Sequence, residues 1–211
     1  MIIGRQKGID RVPFAQLIPT AKGVSLLLDC GANVDVRAEH LVSFARMGSA
    51  YYAAFSGVER PSVGIVNIGA EEEKGNALVL ESIPLLKECE DIDFAGCVEA
   101  NMIPQGQADV IVCDGFTGNV IVKFYEGVGK LMMNVVKDAL KKNLRSKLGA
   151  ALAYPSLKSA FSAFDTKSYG GAPILGLKGL VIKTHGNAKA EIFGNAVLQC
   201  LTMKQNNQGE E

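Results

Sequence analysis

The sequence predicts an α/β fold in which a mainly parallel sheet is covered by helices on both faces. Apolar runs of strand length alternate with longer segments of helical periodicity along the 211 residues. The strand-like runs, such as VSLLL and VGIVNI, are almost continuously apolar, which is typical of parallel strands buried on both sides. Glycine is frequent, at 23 residues, and often follows an apolar run, which suits tight strand-to-helix turns.

The first half of the chain alternates strands with helices. In order, the predicted elements are strand 24–28, helix 39–55, strand 63–68, helix 77–88 and strand 94–98. The helix at 39–55 has apolar residues at three- and four-residue spacing, so one of its faces should cover the sheet. Pro84 should kink or shorten the helix at 77–88, because proline cannot donate a backbone hydrogen bond.

The second half continues the pattern. Its predicted elements are strand 110–113, helix 118–144, helix 148–164 with a break near Pro155, strand 179–183 and helix 188–203. The strand at 179–183 should be the fifth strand of the sheet. The polar end KQNNQGEE should fray.

Polar side chains follow each of the five predicted strands. In chain order these corners hold Asp29 and Asn33, Asn67 and Glu72, Glu99 and Asn101, Asp114 and Asn119, and His185 and Asn187. One such corner is explained by helix capping, for which Asp, Asn and Thr are favoured. Ligands of open parallel sheets bind beyond the carboxyl ends of the strands, so five corners together predict a shared cleft.

The corner DGFTGN, after the strand at 110–113, is suited to an anion, most simply phosphate. A helix N-terminus offers backbone N–H groups and partial positive charge, and glycine allows close approach. Lys74 and Lys123 could add positive charge. Neither G-x-x-x-x-G-K-[ST] nor G-x-G-x-x-G occurs, so no nucleotide-binding fingerprint is present.

Composition argues against several other classes of protein. The chain has 22 basic and 22 acidic residues and no zinc-type spacing, so the sequence predicts no nucleic acid, no metal and no cofactor. The two histidines are His40, expected on the surface of a helix start, and His185, which follows a predicted strand and is the better functional candidate. A histidine with a purely structural role at a helix start explains His185 as well.

The five cysteines are odd in number and form no C-x-x-C, which favours small buried side chains in a reducing compartment. Cys113 in particular ends an apolar run and should be buried. No signal-peptide pattern or bilayer-length apolar span occurs, so we expect a cytoplasmic protein.

Six motifs give the chain a family resemblance. In order they are DCGANVD, MGSAYY, VNIGAEEEKGN, DVIVCDGFTGNV, SYGGAPILGLKG and THGNAKA. Together they resemble the bacterial acyl-acyl-carrier-protein:phosphate acyltransferases of phospholipid synthesis. The resemblance implies transfer of a long acyl chain from acyl carrier protein to inorganic phosphate, giving acyl phosphate. It also implies a homodimer and a Rossmann-like fold similar to phosphotransacetylases and isopropylmalate-dehydrogenase-type enzymes.

Family members carry a further N-terminal segment with a D-A-M-G-G-D motif, which has no counterpart here. We therefore expect residues 1–211 to form a single α/β domain, shortened at its N-terminus relative to the family. Two alternatives follow from the resemblance. One is a short-chain phosphotransacetylase that uses coenzyme A. The other is an inactive shortened homologue that serves as a membrane-associated binding module.

The resemblance and the polar corners together suggest roles for individual residues. Candidates for catalysis are Asp114, His185 and Lys74. Asp114 would orient phosphate or accept its proton, although a structural role as a helix cap fits equally well. Candidates for binding substrate or phosphate are Asn33, Asn67, Glu72, Glu99, Gly115, Thr117, Gly118, Asn119, Gly170 and Gly171.

Residues 137–164 form a basic and apolar segment, predicted to be a projecting helical element. From 137 to 158 it has six basic residues and one acidic residue, a net charge of +5. Its candidate contact residues are Leu148, Leu152, Tyr154 and Leu157. Three interpretations fit: reversible contact with the inner face of the membrane, docking of acidic acyl carrier protein, and a helical hairpin buried in a dimer interface.

Overall fold

The structure is a computed structural model that describes residues 3–162, 171–184 and 190–207, with side chains to Lys158 and Leu201 in the last two long helices. The chain divides into two compact units, one of residues 1–119 with 166–211 and one of residues 120–165. The predicted element at 137–164 falls within the second unit. The assignment of one domain to residues 1–211 stays a prediction.

The first unit is built on a five-stranded sheet, which confirms the predicted α/β class. The strands are β1 (Ala15–Thr20), β2 (Gly23–Leu28), β3 (Ser62–Asn67), β4 (Asp93–Glu99) and β5 (Val110–Val112). Their order across the sheet is β1-β2-β5-β3-β4. β2, β5, β3 and β4 are parallel, and β1 pairs with β2 in the antiparallel sense.

α-Helices follow β2, β3 and β5, as the periodicity predicts, and form much of the later part of the described chain. They are α1 (Ala38–Ser56), α2 (Ala77–Lys87), α3 (Gly115–Lys141), α4 (Leu144–Ser162) and α5 (Ala190–Asn207). α3 starts three residues before the predicted 118, because Asp114 caps it. The predicted break near Pro155 is wrong: α4 continues through this exposed position, where water can satisfy the carbonyl group that proline leaves unbonded. α2 also continues past Pro84 to Lys87.

α1 packs closely on one face of the sheet because Gly48 has no side chain. A Cβ atom at Gly48 would lie 2.7 Å from side-chain atoms of both Leu28 and Val110. Leu28, Val110 and the α1 residue Phe44 are completely buried in the same core cluster. This packing fixes the β2 and β5 ends, where the candidate site begins.

Two strand predictions need correction. β1 was not predicted, because AQLIPT mixes polar and apolar residues and contains Pro19, which suits an edge strand. The predicted fifth strand at 179–183 does not join the sheet. Only Ile182–Lys183 is a strand, β7, and it pairs in the antiparallel sense with β6 (Ala172–Pro173) in a separate two-stranded sheet. The main sheet therefore has four parallel strands.

The second unit contains α3 from Val120 onward and α4. Exposed apolar side chains recur along α3 every three or four residues, which places them in one stripe. This stripe consists of Val120, Phe124, Val128, Leu131 and Val135. None of the helices in the described ranges combines the length and apolar character needed to cross a bilayer.

Candidate functional site

Four of the five predicted polar corners lie at one edge of the sheet. β5 lies between β2 and β3, and Val112 is in register with Leu28 on one side and Ile65 on the other. The segments that follow these strands are therefore neighbours: 29–33 after β2, 113–119 after β5 and 68–75 after β3. Glu99, at the end of β4, is in register with Asn67. The fifth corner, with His185, lies outside the described residues, as does Gly170, and Gly171 immediately precedes β6.

Asp29 organises the segment after β2. Its side chain is completely buried. Oδ1 accepts hydrogen bonds from the backbone N–H groups of Phe14, Gly31 and Ala32 at 2.9–3.0 Å. Oδ2 accepts from the backbone N–H of Asn33 at 2.7 Å and from its Nδ2 at 2.8 Å. Five donors thus converge on one carboxylate and fold residues 29–33 around it.

The 29–33 segment packs directly on the first turn of α3. Gly115 N–H donates to the Asn33 carbonyl at 2.8 Å, and Asn119 Nδ2 donates to the Cys30 carbonyl at 3.3 Å. A Cβ atom at Gly118 would lie 1.9 Å from the Asp29 carbonyl oxygen. A Cβ atom at Gly115 would lie 2.5 Å from the Asn33 carbonyl oxygen. Both glycines are required by this close approach of two backbone segments.

Asp114 caps α3. Its Oδ1 accepts from Thr117 N–H at 2.8 Å, and its Oδ2 accepts from the Thr117 hydroxyl at 2.6 Å. Gly118 N–H donates to the Asp114 carbonyl at 3.0 Å. The N–H groups of Gly115, Thr117 and Gly118 are thus bonded within the protein. These three N–H groups are therefore not free donors for phosphate, and a phosphate site at 115–119 stays a prediction.

Asn67 and Lys74 belong to the segment after β3. The Asn67 side chain is buried, and its Nδ2 donates to the carbonyls of Glu71 at 3.3 Å and Lys74 at 3.0 Å. Its Oδ1 accepts from Ile68 N–H at 2.8 Å. Gly75 is in a positive-φ conformation close to this oxygen. Asn67 therefore holds the segment that carries Lys74.

Lys74 itself is exposed, with its Nζ 2.8 Å from Oε1 of Glu71. This hydrogen bond raises the pKa of Lys74 and lowers the pKa of Glu71. The charge of Glu99 also contributes to the higher pKa of Lys74. Both carboxylates therefore favour the charged form of the Lys74 ammonium group.

Glu72 pairs with Lys87 of α2, at 2.5 Å between Oε2 and Nζ. Both residues line a hollow of about 380 Å³ that also includes Phe94 of β4. The structure therefore places Glu72 beside α2 and β4, while Lys74 of the same segment pairs with Glu71.

The cysteines agree with the sequence prediction. Cys30, Cys97 and Cys113 are buried, and Cys89 and Cys200 are half-buried. Burial raises the pKa of the Cys113 thiol well above its ordinary value, so the sulfur is protonated and enclosed. The side chains that the structure describes include no group of three or more His, Cys, Asp or Glu residues placed to hold a metal ion.

The surface position predicted for His40 is wrong. His40 is buried at the start of α1, where Nδ1 accepts from Arg37 N–H at 3.0 Å and Nε2 lies 2.9 Å from Oδ2 of Asp10. The N-terminal segment, which periodicity could not place, covers this histidine and gives it a partner.

Asp29 is a residue that sequence reasoning left out of the site. The sequence alone places it only in a polar corner. The signal was available in D-x-G-x-N directly after VSLLL, because an acid at the end of a buried strand needs donors close by.

Comparisons with known proteins identify curated relatives of this chain. A phosphate acyltransferase from Clostridium botulinum (strain Loch Maree / Type A3) is 48% identical over 198 residues, which cover 94% of this chain and 59% of the relative. A phosphate acyltransferase from Clostridium perfringens (strain SM101 / Type A) is 43% identical over 206 residues, 98% of this chain and 61% of the relative. The chain thus spans about three fifths of the length of these curated relatives.

Solved structures similar to the chain show the same fold. A phosphotransacetylase from Staphylococcus aureus, EutD, has a TM-score of 0.63 at 15% identity, over 94% of this chain and 56% of that one. A phosphotransacetylase from Streptococcus pyogenes has a TM-score of 0.62 at 17% identity, over 96% of this chain and 57% of that one. A family model described as "Fatty acid synthesis protein" matches residues 1–210. The chain belongs to this fatty acid synthesis protein family.

Proposed function

We propose that the chain acts in a phosphate acyltransferase, which moves a long acyl chain from acyl carrier protein to inorganic phosphate and releases acyl phosphate. The observation that carries the proposal is that an amide and a cation follow two neighbouring parallel strands at the same edge of the sheet. Asn119 follows β5 and Lys74 follows β3, its direct neighbour. Family membership supports the reaction, since the relatives are named phosphate acyltransferases.

In this proposal the side chains, more than the backbone, recognise phosphate. Three N–H groups of the first turn of α3 are already bonded within the protein, so the helix contributes mainly its partial positive charge. Lys74 contributes a full charge. Its bond to Glu71 is an exposed ion pair, which is of little energetic consequence, so phosphate can take the place of Glu71.

The reaction is proposed as a direct attack. An oxygen of hydrogen phosphate attacks the thioester carbonyl carbon, the carbon–sulfur bond breaks, and the phosphate proton passes to the leaving thiolate of acyl carrier protein. Asn119 is proposed as the donor to the developing oxyanion or to phosphate, a role for which removal of one donor typically costs 10²- to 10³-fold in turnover. Asp114 relays the proton, and Glu99 and Gly171 border the substrate. His185, which lies outside the described residues, is proposed as a further catalytic residue.

A cysteine acyl intermediate is not needed in this scheme. Cys113 is adjacent to Asp114, but its thiol is buried and its pKa is raised, so it is a poor nucleophile. Direct transfer also agrees with the close packing of Cys113 against the Asp29 carbonyl.

Lys74→Met and Asn119→Ala test the assignment. Long-chain acyl-acyl carrier protein and phosphate are supplied, and acyl phosphate is trapped with hydroxylamine. We expect Asn119→Ala to lower turnover by about 100-fold. We expect Lys74→Met to lower the rate at limiting phosphate, mainly through a higher KM for phosphate. Lys22→Met is the matched control, because Lys22 is an exposed lysine in the turn between β1 and β2.

Phosphate binding gives a readout independent of turnover. A ligand that binds only the folded state raises stability, by about 1.4 kcal/mol at ten times its Kd. We expect phosphate to stabilise the wild type and the Lys22→Met control but not Lys74→Met. Absence of both acyl phosphate formation and stabilisation by phosphate in the folded chain would refute the proposed function. Preference for acetyl-coenzyme A over long-chain acyl-acyl carrier protein would favour a phosphotransacetylase.

We also propose that residues 120–165 form a contact surface, with reversible attachment to anionic membranes through α4 and dimer formation through the exposed stripe of α3. Leu148, Leu152 and Tyr154 have 61%, 87% and 61% of their surface exposed, and Leu157 is half-buried. Apolar side chains next to lysines are typical of elements that bind a membrane surface.

Sedimentation with anionic and neutral vesicles tests the membrane contact. Leu152→Glu removes the most exposed leucine of α4 and adds a charge that anionic lipid repels. We expect it to reduce binding to anionic vesicles, with Leu180→Glu, in the other unit, as the control. Unchanged binding by Leu152→Glu would refute this role. If acyl carrier protein instead docks on the basic residues of 137–158, it should bind the chain without vesicles, and added salt should weaken that binding.

A further inference from the structure

We infer that Asp29 is a positioning residue for the acyl transfer proposed above, and that it acts by fixing the orientation of the Asn119 amide. The inference rests on the proposed function, in which Asn119 is the donor to phosphate or the oxyanion. Asp29 need not touch substrate in this role. Its carboxylate determines the shape of the 29–33 segment, and that segment in turn contacts the first turn of α3.

The first step is the burial of the carboxylate. Asp29 has 0% of its surface exposed, and among the described residues its partners are N–H groups, with no lysine or arginine in contact. A buried carboxylate is very costly unless its oxygens are fully hydrogen-bonded. Five donors meet this requirement. No neutral side chain of the same size accepts five hydrogen bonds, so the network specifies an ionised acid.

The second step is the link from the carboxylate to α3. Oδ2 holds both the backbone and the side chain of Asn33, and the Asn33 carbonyl then accepts from Gly115 N–H. Oδ1 holds Gly31 and Ala32, which fixes the preceding Cys30 carbonyl. That carbonyl accepts from Asn119 Nδ2 at 3.3 Å. The described contacts that orient the Asn119 amide therefore pass through the segment that Asp29 folds.

The same network changes the role proposed for Asn33. Its Nδ2 donates to Asp29 Oδ2 at 2.8 Å and to the Val12 carbonyl at 3.0 Å, which uses both hydrogens of the amide. Asn33 is thus occupied as a donor and also acts as a positioning residue. Asp29 and Asn33 therefore act together to position the side chain of Asn119.

Asp29→Asn disrupts the hydrogen bonds to Asn33 and leaves the other hydrogen bonds of this network in place. The amide oxygen can take the place of Oδ1 and keep the donors Phe14, Gly31 and Ala32. The new NH2 group then faces the two donors of Asn33, a donor–donor conflict in a buried place. We expect a 10- to 100-fold fall in kcat for acyl phosphate formation, since a small misplacement of a catalytic group costs about this much. The KM for phosphate should change less than threefold.

A double-mutant cycle separates positioning from a general structural effect. If Asp29 acts through Asn119, Asp29→Asn should have little further effect in an Asn119→Ala background. A purely structural role predicts that the two losses multiply. Multiplying losses, or a folded Asp29→Asn variant with wild-type kcat, would overturn the inference. Wild-type turnover of Asn119→Ala alone would instead refute the site in the proposed function, so the two failures are distinguishable.

A spectroscopic measurement keeps the inference testable without turnover. The side-chain NH2 signal of Asn119 is identified in an ¹H–¹⁵N spectrum by its loss in Asn119→Ala. We expect Asp29→Asn to shift this signal and Asp91→Asn, a control in an exposed ion pair, to leave it unchanged. Should Asp29→Asn fail to fold, Asn33→Ala removes one donor and leaves four on the carboxylate. An Asn119 signal unmoved by either folded variant would refute the inference.

Discussion

Replacement of Gly118 by alanine is the sharpest test of the packing between the 29–33 segment and α3. A Cβ atom there would lie 1.9 Å from the Asp29 carbonyl oxygen, 2.9 Å from the Asp29 carbonyl carbon and 3.0 Å from Cys113 Sγ. An ordinary carbon–oxygen contact is about 3.3 Å, so the helix or the segment must move by about 1.4 Å. Two of the three contacts are with backbone atoms, which no rotamer change can relieve.

The expected cost follows from this geometry. Overpacking usually destabilises a protein by about 1–3 kcal/mol, and more where backbone must shift. We therefore expect Gly118→Ala to lower the free energy of unfolding by about 3 kcal/mol or more. For a chain of this size that corresponds to a fall of about 6–12 °C in Tm. Because the movement separates Asn119 from the Cys30 carbonyl, the proposed acyl transfer should also be lost.

Gly127→Ala is the matched control, since it introduces the same methyl group in the same helix. Apart from its chain neighbours and the backbone of its own helix, no described atom lies within 4 Å of the Cβ position at Gly127. Alanine is favoured over glycine in a helix interior by about 1 kcal/mol, so this variant should be slightly more stable than wild type. The assay is urea unfolding followed by circular dichroism, with Tm measured in parallel. If Gly118→Ala unfolds within about 0.5 kcal/mol of wild type, the close approach of Asp29 to α3 is refuted.

Three further predictions use groups outside this contact. Cys113→Ala should keep most of the acyl transfer activity, and Cys113 should resist iodoacetamide at neutral pH in the folded protein, because burial raises its pKa; loss of all activity in a folded variant would favour a covalent route. The hydrogen bond from Arg46 lowers the pKa of Asp91 below its ordinary value of 3.8. The pair therefore stabilises the folded state above pH 3.8. This stabilisation is lost as the pH falls through the lower pKa of the folded state. Asp91→Asn should therefore be less stable than wild type in urea at pH 7, by no more than about 1 kcal/mol for so exposed a pair, and the difference should shrink at pH 3; an equal difference at both pH values would contradict the assignment. Tyr52→Phe removes the donor to the Val24 carbonyl at 2.8 Å and should cost about 1 kcal/mol in the same assay, whereas an unchanged midpoint would show that water replaces the hydroxyl.

The four parallel strands could be predicted because each is almost continuously apolar and is followed by a polar turn, which leads into an α-helix after β2, β3 and β5. β1 was not, since its sequence carries Gln16 and Pro19, and only pairing with β2 makes it a strand. The run at 179–183 was misassigned because a short apolar run does not reveal its partner. Its partner is β6, from which residues 174–181 separate it, and not a strand of the main sheet.

The candidate site was predictable as a place but only partly as a set of roles. The D-x-x-T spacing of Asp114 and Thr117 indicates a helix cap, and the structure has that cap. The bonds of Asn33 could not be predicted, because its partner Val12 belongs to a segment without periodicity. The role of Asp29 depends likewise on Phe14, 15 residues away in the chain. Such tertiary contacts determine which hydrogen-bond donors of the site are already used and which remain available to a ligand.

The different roles proposed for Asn119 and Lys74 follow from the hydrogen bonds that their segments already make within the protein. The first turn of α3 is hydrogen-bonded to the 29–33 segment and to Asp114. The backbone that carries Asn119 is therefore fixed in position. The backbone of Lys74 is held by hydrogen bonds to Asn67 and Glu71, and its ammonium group extends to the exposed carboxylate of Glu71. In the proposed reaction the Asn119 amide therefore orients the reacting groups, and the exposed Lys74 ammonium group provides positive charge. Loss of Lys74 should then raise the phosphate KM more than it lowers kcat, while loss of Asn119 should do the reverse.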